Sequence, residues 1–378
     1  RSALKPFICR KERSRLLLDE IPALAVLALT AKGRSKFEGV GELAAKESDR
    51  LAGVCGLAKS LGADAAVCGD CLEIYGKGYI EGGQADTLND HRLELAAATA
   101  GLHSKRGVET SFGYADVSCP DFLKIIGAEK FRLGLLGGDI SSSKSPLLFS
   151  LFSDYFSVPL SYELFETDAA RFDDTLKKLK TYADGFNVTM PYKSRLSSDG
   201  MPSNTVLNKC GRFLPAVTDG DGVVLSLAAH KIDVEGKKLL LIGAGGSAAA
   251  AARALADRGA KLCFANRTQE KARESASRFG GKIYEKGVVC DGILSFVPVF
   301  DRLLFADEKD VAAAEFVLDA YYFRDTRLLQ CARKYGKIAV DGLDMLFFQA
   351  IKAFEIFTSV KASDADTEAL YALFRSKI

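Results

Sequence analysis

Short apolar runs alternate with amphipathic, helix-like stretches along nearly the whole chain, and this alternation predicts an α/β protein. Two apolar runs, 131–138 and 237–247, lead directly into glycine turns, as expected at the start of a new folding unit. A third apolar pattern, 345–358, is rich in aromatic residues and predicts a long helix before a charged tail. We therefore predict three parts, which are 1–125, 131–222 together with 346–378, and 223–345.

The composition is that of a globular protein with several domains. The 378 residues are 48% hydrophobic and 26% charged, and a chain of this length is expected to form two or three domains. Its 51 lysines and arginines face 49 aspartates and glutamates, so there is no basic excess to bind a nucleic-acid backbone. No apolar stretch approaches the ~20 residues that cross a bilayer. Neither nucleic acid nor a membrane is expected as a partner.

The nine cysteines are scattered and odd in number, which favours reduced thiols and a cytoplasmic location. Cys68 and Cys71 form one CxxC pair without a second pair or a histidine at a ligand spacing, so no metal site is expected. The chain begins at Arg1 rather than methionine and carries no targeting signature. We therefore expect a fragment or a trimmed protein.

The run 239–242 predicts a buried parallel strand that leads into a glycine loop and then an alanine-rich helix. Glycines at such a turn let the backbone approach a pyrophosphate, whose charge lies against the helix N-terminus. A second strand, 261–265, follows at the spacing of a dinucleotide-binding unit. The loop residues expected to bind the cofactor are Gly243, Ala244, Gly245, Gly246, Ser247 and Ala248.

The end of the second strand distinguishes NAD from NADP. An NAD site places an acidic residue there, but this chain has Asn266, Arg267 and Thr268, with no carboxylate before Glu270. A guanidinium and a hydroxyl suit a 2′-phosphate, with Arg267 pairing charge and stacking on the adenine. The alternative is an ordinary surface arginine after a strand. With the glycine loop beside it, the pattern favours NADP.

Three polar clusters follow predicted strands, at 141–146, 186–193 and 216–222. Open α/β sheets bind ligands at the carboxyl ends of their strands, so all three clusters fall where a site would form. Any one of them alone would be an ordinary turn or helix cap. Three together, beside an NADP fold, predict a site for a polyol.

From about Phe131 onward, the order of these motifs resembles shikimate dehydrogenase. The resemblance implies a two-domain α/β enzyme, with a Rossmann NADP-binding domain and an α/β substrate domain, that reversibly reduces 3-dehydroshikimate to shikimate in aromatic amino-acid biosynthesis. The matching segments are Ser143–Pro146, Asn187–Lys193, Asn204-Thr205, Thr218–Gly220, the glycine loop, Asn266–Thr268 and Asp341–Gln349.

The resemblance also implies roles for single residues. Lys193 would be the general acid–base at the oxygen whose carbon exchanges hydride with NADP, and Asp219 would hold it and bond the same hydroxyl. A lysine with a pKa near ~10.4 is a poor base at neutral pH, so enclosure in the cleft should tune it. The implied binding residues are Ser143 and Ser145 for the substrate carboxylate, Thr189, Asn204 and Gln349 for the ring hydroxyls, Tyr322 as a further substrate contact and Gly342 on the cofactor side.

Three positions depart from the family pattern. Val217 replaces an asparagine, 294–298 replaces the Asn-x-Thr or Asn-x-Ser segment expected near the nicotinamide, and Asp344 stands where glycine is common. Two alternatives therefore stay open, a quinate-using relative with the same Lys–Asp pair and a catalytically silent module. The intact Lys193 and Asp219 favour an enzyme over a silent module. Arg267 and the hydroxyls of Ser143 and Ser145 favour shikimate with NADP over quinate.

The first 125 residues carry charged motifs at predicted helix starts, which on composition alone are ordinary N-terminal turns. These motifs are Asp19-Glu20-Ile21-Pro22, Lys46-Glu47-Ser48-Asp49-Arg50 and Asp90-His91-Arg92. Their order resembles the C-terminal part of 5-enolpyruvylshikimate-3-phosphate (EPSP) synthase. The resemblance implies that Asp19 and Glu47 are candidates for proton transfer and that Arg50 and Arg92 bind the phosphoenolpyruvate anion, with Lys46 in the same motif.

Two features argue against transferase activity in this chain alone. Val117 replaces a lysine of the family, and the resemblance covers only part of an enzyme that closes two domains around its substrates. We expect that the natural protein extends upstream of Arg1 as a bifunctional enzyme.

Overall fold

The computed structural model describes residues 4–111, 113–119, 122–127, 130–198, 200–209 and 211–378. The chain divides into two compact units, Arg1–Glu129 and Lys130–Ile378. Arg1 and one of the nine cysteines, Cys210, lie outside the described ranges, and the other eight cysteines are free thiols. Within those ranges, no helix is both long enough and apolar enough to span a membrane.

The first unit is a four-stranded sheet with helices packed on one face. Its elements are β1 (Ile8–Cys9), α1 (Lys11–Leu16), α2 (Ile21–Thr30), β2 (Gly33–Phe37), α3 (Arg50–Ser60), β3 (Asp64–Cys68), β4 (Cys71–Gly76), β5 (Gly83–Gln84), α4 (His91–His103), β6 (Val108–Glu109) and α5 (Phe122–Ile125), with 3-10 turns at Leu18–Glu20, Gly41–Ala45 and Ala115–Val117. The strand order is β1-β2-β4-β3, with β1 parallel to β2 and the other pairs antiparallel. Leu72 and Ile74 of β4 are fully buried, whereas Glu73 between them is not, so one face of the sheet forms the core.

The second unit begins with a five-stranded mixed sheet. Its elements are β7 (Phe131–Gly137), α6 (Ser145–Phe156), β8 (Leu160–Glu166), α7 (Phe172–Tyr182), β9 (Gly185–Val188), β10 (Ser197–Ser198), β11 (Met201–Pro202), β12 (Thr205–Lys209) and β13 (Arg212–Ala216), with a 3-10 turn at Lys193–Arg195. The order is β13-β12-β9-β7-β8, in which β7 is parallel to both its neighbours and β12 is antiparallel to β9 and β13. All four residues of β9 are buried, so this strand runs through the interior.

A six-stranded parallel sheet follows. Its elements are α8 (Asp219–Ala229), β14 (Lys238–Ile242), α9 (Gly246–Ala256), β15 (Lys261–Ala265), α10 (Gln269–Phe279), β16 (Lys282–Ile283), β17 (Gly292–Ser295), α11 (Glu308–Ala313), β18 (Phe316–Asp319), α12 (Arg327–Lys334), β19 (Ile338–Val340), α13 (Gly342–Thr358) and α14 (Asp364–Ser376). The order β16-β15-β14-β17-β18-β19 is that of a doubly wound dinucleotide-binding sheet. Its direction of winding reverses between β14 and β17, where such sheets bind their ligand.

Helices α8 and α13 connect the two sheets of this unit. They pack closely because Gly222 of α8 lacks a side chain: a Cβ there would lie 2.8 Å from the carbonyl oxygen of Met345 and from Cβ of Gln349. Farther along α13, Phe347 and Phe354 are fully buried in the core beside the five-stranded sheet. The helix pair therefore belongs to both halves of the unit.

The predicted α/β class is confirmed, and the helix predicted at 345–358 begins earlier, at Gly342. The reason is a cap that hydropathy does not reveal. The Asp341 carboxylate accepts hydrogen bonds from the backbone N–H groups of Leu343 and Asp344, which satisfies donors that the first turn leaves free.

Candidate active site

Lys193 and Asp219 form a close, poorly solvated ion pair. Lys193 begins the 3-10 turn after β9, and Asp219 is the first residue of α8. The lysine Nζ donates to Oδ2 of Asp219 over 2.5 Å, and only 14% and 7% of the two side chains are exposed. Removed from most water, each charge is stabilised chiefly by the other. The two side chains are therefore held in contact with each other.

The glycine loop of the six-stranded sheet touches the same lysine. Nζ of Lys193 donates a second hydrogen bond, of 3.0 Å, to Oγ of Ser247 in the first turn of α9. A Cβ on the neighbouring Gly246 would lie 3.2 Å from Cβ of Pro202 and 3.4 Å from Cδ of Lys193. Glycine at this position therefore allows the loop to approach the Lys193 side chain.

A network of amides and hydroxyls lies beside the pair. Nδ2 of Asn204 donates to Oγ1 of Thr218 over 2.8 Å and to Oε1 of Gln349 over 3.0 Å. Its Oδ1 accepts from the backbone N–H of Thr218 over 2.7 Å. These bonds determine which way the Asn204 amide faces and draw Gln349 of α13 into the same group.

Two serines lie at the start of α6, where the backbone N–H groups favour a negative charge. Oγ of Ser143 donates to Oγ of Ser145 over 3.2 Å and accepts from the Ser145 N–H, also over 3.2 Å. Burial raises the pKa of Tyr322 above its ordinary value, while a hydrogen bond with Ser143 acts in the opposite direction. Tyr322 is thus a neutral phenol at the serine pair.

One cavity brings together residues from both sheets of the second unit. Of the residues singled out from the sequence, those that line it are Ser143, Ser145, Thr189, Lys193, Asn204, Asp219, Ser247, Tyr322, Gly342 and Gln349. A Cβ on Gly342 would lie 2.4 Å from the Ala320 carbonyl oxygen, so glycine is required where α13 starts.

The other predicted cofactor residues lie at the strand ends outside this cavity lining. Gly243 has φ +115°, a conformation that favours glycine, and the chain turns there from β14 toward α9. Gly245 has extended backbone and no side chain at the N-cap of α9, so the first amides of that helix can reach an anion. Ala244 lies between these glycines, and Ala248 belongs to the first turn of α9.

Asn266, Arg267 and Thr268 follow β15 at the same edge of the sheet. Nδ2 of Asn266 donates to the Thr268 carbonyl over 3.0 Å and shapes the turn. Arg267 is exposed and forms no ion pair with any described residue. The glycine loop, the helix N-terminus and this guanidinium together fit a dinucleotide with a phosphate on its ribose.

Sequence reasoning placed Asn187 in a matching motif without giving it a role, and it missed Tyr162. Nδ2 of Asn187 donates to the Asn204 carbonyl and to Oγ1 of Thr205, each over 3.1 Å, and its Oδ1 accepts from the Tyr162 hydroxyl over 2.8 Å. Burial raises the pKa of Tyr162. The signal available in the sequence was an asparagine within the apolar strand 186–189.

The segment that departs from the family pattern supplies apolar cavity walls. Phe296 and Val297 line the cavity. Near them, the rings of Phe300 and Tyr321 stack with centroids 6.0 Å apart, and the Arg324 guanidinium lies 4.8 Å from the Phe300 centroid. The edge of the cavity is therefore aromatic where the family pattern has amides and hydroxyls.

In the first unit, all five residues singled out from the sequence come together around Arg50, whose side chain is 1% exposed. Its Nη1 donates to Asp19 over 3.1 Å and its Nη2 to Glu47 over 2.5 Å. Asp19 also lies 3.6 Å from Nζ of Lys46 and from Nη2 of Arg92. Each of these cations thus has a carboxylate partner within the unit.

Asp90, which was quoted in a motif but not singled out, anchors the cluster. It accepts a 2.9 Å bond from Nε of Arg50 and caps α4 through the N–H groups of Arg92 and Leu93. Burial acts to raise the pKa of Asp90, but the bonds from Arg50, Ser48 and the Arg92 N–H outweigh it and lower the pKa. Asp90 is therefore a permanent anion that keeps Arg50 buried and oriented.

Three family models match the chain. Residues 10–126 match EPSP synthase (3-phosphoshikimate 1-carboxyvinyltransferase). Residues 135–198 match the shikimate dehydrogenase substrate binding domain, and residues 226–291 match shikimate / quinate 5-dehydrogenase. The resemblances stated from the motifs are thereby confirmed for both parts of the chain.

Similar proteins include the shikimate dehydrogenases (NADP(+)) of Carboxydothermus hydrogenoformans and Methanothrix thermoacetophila. They are 30% and 31% identical to this chain, and the matches cover 62% and 65% of it and 94% and 96% of the relatives. The crystal structure of shikimate dehydrogenase from Aquifex aeolicus is 27% identical with a TM-score of 0.60, over 65% of this chain and 98% of that one. A shikimate dehydrogenase solved with NADP+ is 26% identical, covers 67% of this chain and 97% of its own, and has a TM-score of 0.59.

Proposed function

The chain belongs to the shikimate dehydrogenase family, and we propose that it catalyses the reversible NADP-dependent reduction of 3-dehydroshikimate to shikimate with Lys193 and Asp219 as its proton-transfer pair. The observation that carries the proposal is the 2.5 Å contact of these two side chains inside one cavity. Serines, amides and a phenol line the same cavity, as a small polyhydroxylated carboxylate requires.

Lys193 gives a proton to the oxygen of the carbonyl that is being reduced, and it takes the proton back in the reverse direction. NADP supplies the hydride chemistry when it is bound. Asp219 keeps the ammonium oriented and accepts a hydrogen bond from the resulting hydroxyl. Proton transfer by a positioned group contributes about 100- to 10,000-fold to the rate.

The remaining cavity groups orient the substrate. Ser143 and Ser145 bind its carboxylate at the start of α6, where the helix dipole adds to their hydrogen bonds. The ring hydroxyls are held by Thr189, Asn204 and Gln349, with Tyr322 as a further contact. A site built of such donors discriminates strongly against analogues that lack a hydroxyl, because its polar groups would then be left unpaired.

The cofactor site is proposed from the β14–α9 loop and the β15 end. Gly243, Gly245 and Gly246 allow the pyrophosphate to reach the helix N-terminus, while Ala244, Ser247, Ala248 and Gly342 complete the walls. Arg267 pairs with the 2′-phosphate, and Asn266 and Thr268 shape the turn that presents it. In this scheme 131–222 with 346–378 binds substrate, and 223–345 binds NADP.

For residues 1–125 we propose the carboxyvinyltransferase role only in combination with an upstream portion of the same protein. The support is the cluster of Lys46, Arg50 and Arg92 with Asp19 and Glu47 in the segment that matches EPSP synthase. This chain alone should therefore transfer no enolpyruvyl group to shikimate 3-phosphate. A cytoplasmic location is proposed from the free cysteines and the biosynthetic relatives.

The test of the dehydrogenase is NADPH formation by the purified chain from shikimate and NADP. Lys193→Ala should abolish turnover while shikimate still binds, and Lys177→Ala, an exposed lysine of α7, should leave turnover unchanged. A wild-type chain that binds both ligands without turnover would contradict the proposal. Equal turnover of quinate and shikimate would show that the enzyme uses both substrates, as the quinate-using alternative predicts.

A further inference from the structure

Cys68 and Cys71 lie opposite each other across the β3–β4 hairpin, and the dehydrogenase chemistry does not use them. Cys68 ends β3, Cys71 begins β4, and the two are Cα partners in the antiparallel register. Gly69 and Asp70 form the turn between them, and Gly69 has φ +62°, as the first position of such a tight hairpin turn needs. The register therefore makes the two thiols neighbours on one face of the sheet.

Their spacing suits a covalent bridge. Directly opposed residues in an antiparallel pair have Cα atoms about 4.5–5.5 Å apart, within the range of about 4.4–6.8 Å that disulfides span. Their Cβ atoms are about 4.5–5.5 Å apart, compared with about 3.5–4.5 Å in a relaxed disulfide. Closing the bridge thus requires a small movement at the hairpin tip, and the strain that remains makes the bond easy to reduce.

Both sulfurs can be reached by a small molecule. Cys68 is exposed and Cys71 is half-buried. The Cys71 thiol donates to Oδ1 of Asp70 over 3.5 Å, so it lies at the tip of the hairpin beside the turn. The thiolate is the reactive form of cysteine, and an accessible thiol can ionise in contact with water.

We propose that Cys68 and Cys71 form a reversible thiol–disulfide site that reacts with low-molecular-weight disulfides. The Cys68 thiolate attacks one sulfur of the small disulfide, and the other sulfur leaves as a thiolate that takes up a proton. Cys71 then loses its proton and attacks the Cys68 sulfur, which releases the second small thiol. The two cysteines together lose two electrons and two protons, and one small disulfide becomes two thiols.

A structural zinc ion is the competing occupant of a CxxC pair. Structural zinc sites have four protein ligands. In the part of the chain that the structure describes, no group of three or more histidine, cysteine, aspartate and glutamate side chains is arranged to hold a metal. The pair therefore offers two ligands where four are needed, and disulfide formation is the chemistry it supports.

The experiment treats the full chain with oxidised glutathione, blocks the remaining thiols with an alkylating reagent and identifies the peptides by mass spectrometry. We expect the peptide that contains both cysteines to carry an internal disulfide, which dithiothreitol removes. Cys68→Ser and Cys71→Ser should each abolish it. Cys119→Ser, which changes another half-buried thiol of the same unit, should not. Unchanged far-UV circular dichroism and an unchanged thermal unfolding profile of the full chain in all three variants report that they fold.

Three results would overturn the proposal. The first is a peptide in which both cysteines remain alkylated after oxidation. The second is a stable mixed disulfide with glutathione on Cys68 that Cys71 never resolves. The third is a chain whose two thiols are not oxidised by glutathione disulfide but are protected from alkylation by added zinc ions. That result would mean that the pair binds a metal ion.

Discussion

Lys193, which follows β9, donates a 3.0 Å hydrogen bond to Oγ of Ser247 in the glycine loop, so the lysine that we propose as the acid–base group is in direct contact with the segment that we propose binds the cofactor. Hydrogen bonds to a charged group stabilise by about 1.5–3 kcal/mol. Ser247→Ala should therefore leave the ammonium less firmly placed and lower kcat by about tenfold, since ~1.4 kcal/mol corresponds to a factor of ten.

Threonine at the same position keeps the hydroxyl, so Ser247→Thr should recover most of the lost kcat. The measurement is kcat and KM for shikimate as a function of pH. An unchanged kcat and pH profile in Ser247→Ala would show that the contact has no part in turnover.

Asp219→Asn should lower kcat by about 100- to 10,000-fold. The neutral amide does not balance the positive charge of Lys193, and it accepts a weaker hydrogen bond from the Lys193 ammonium than the carboxylate does. Only 7% of the Asp219 side chain is exposed, so water cannot replace the lost carboxylate. Asp221→Asn on the same helix is the matched control, since Asp221 is not among the residues that line the cavity. A comparable loss in both variants would indicate damage to α8 instead of lost chemistry.

Arg267→Ala should raise KM for NADP by roughly 10- to 100-fold, from the loss of a charge-assisted bond of about 1.5–3 kcal/mol, and should change KM for NAD little. Arg267 is exposed and has no ion pair with any described residue, so its removal should not disturb the fold. Arg273→Ala in the following helix is the control. Equal changes for NAD and NADP would contradict the 2′-phosphate assignment.

His230 gives the second unit a pH-dependent contribution to stability. Its Nε2 lies 2.8 Å from Oδ2 of Asp344, which also contacts Tyr371 and Arg375. The Asp344 hydrogen bond raises the pKa of His230 above its ordinary value, although burial opposes this. A raised folded-state pKa means that the stabilisation is complete below the unfolded pKa of ~6.5 and is lost as pH rises through the folded value.

His230→Gln should therefore flatten the fall in thermal midpoint that the wild-type chain shows as pH rises from mildly acidic to mildly alkaline. His103→Gln, at an exposed helix end of the first unit, serves as the control and should keep the wild-type slope. The measurement is thermal unfolding at a series of pH values. An identical slope in His230→Gln would show that His230 does not cause the pH dependence.

Gly342→Ala should destabilise the second unit by about 1–3 kcal/mol, the usual cost of forcing extra atoms into a packed position. The added Cβ would meet backbone at 2.4 Å, which no side-chain rotation can relieve. Gly56→Ala is the control, because nothing lies within 4 Å of its Cβ position on α3. Retention of activity during heating measures the effect, and equal half-lives for both variants would refute it.

Motif order predicted most of the polar side chains that line the cavity, because each motif is a local stretch of chain that ends a strand or begins a helix. Lys193 and Asp219 were found in this way. The bond between Asn187 and Tyr162 was not, since it joins two strands, β9 and β8, that lie on opposite sides of β7. A local sequence pattern does not show which residues of two separate strands come into contact in the folded sheet.

The same limit applies to the contacts between the two sheets. Ser247 was predicted as a cofactor residue on the strength of the glycine loop alone, and its contact with Lys193 depends on how the two halves pack. In the first unit, Arg50 was predicted to bind an anion from solution, whereas its guanidinium faces Asp19, Glu47 and Asp90. The motif determined the residue type, and the fold determined its partners.

The close packing of α8 on α13 at Gly222 holds the two helices against each other. Asp219 starts one helix and Gln349 lies on the other, so this packing also sets how these two cavity residues are placed relative to each other. Ser247 follows a strand of the six-stranded sheet and Lys193 follows a strand of the five-stranded sheet, and their hydrogen bond is a second link between the two halves of the unit. A larger residue at Gly222 would therefore be expected to displace Asp219 from Gln349 without changing either side chain.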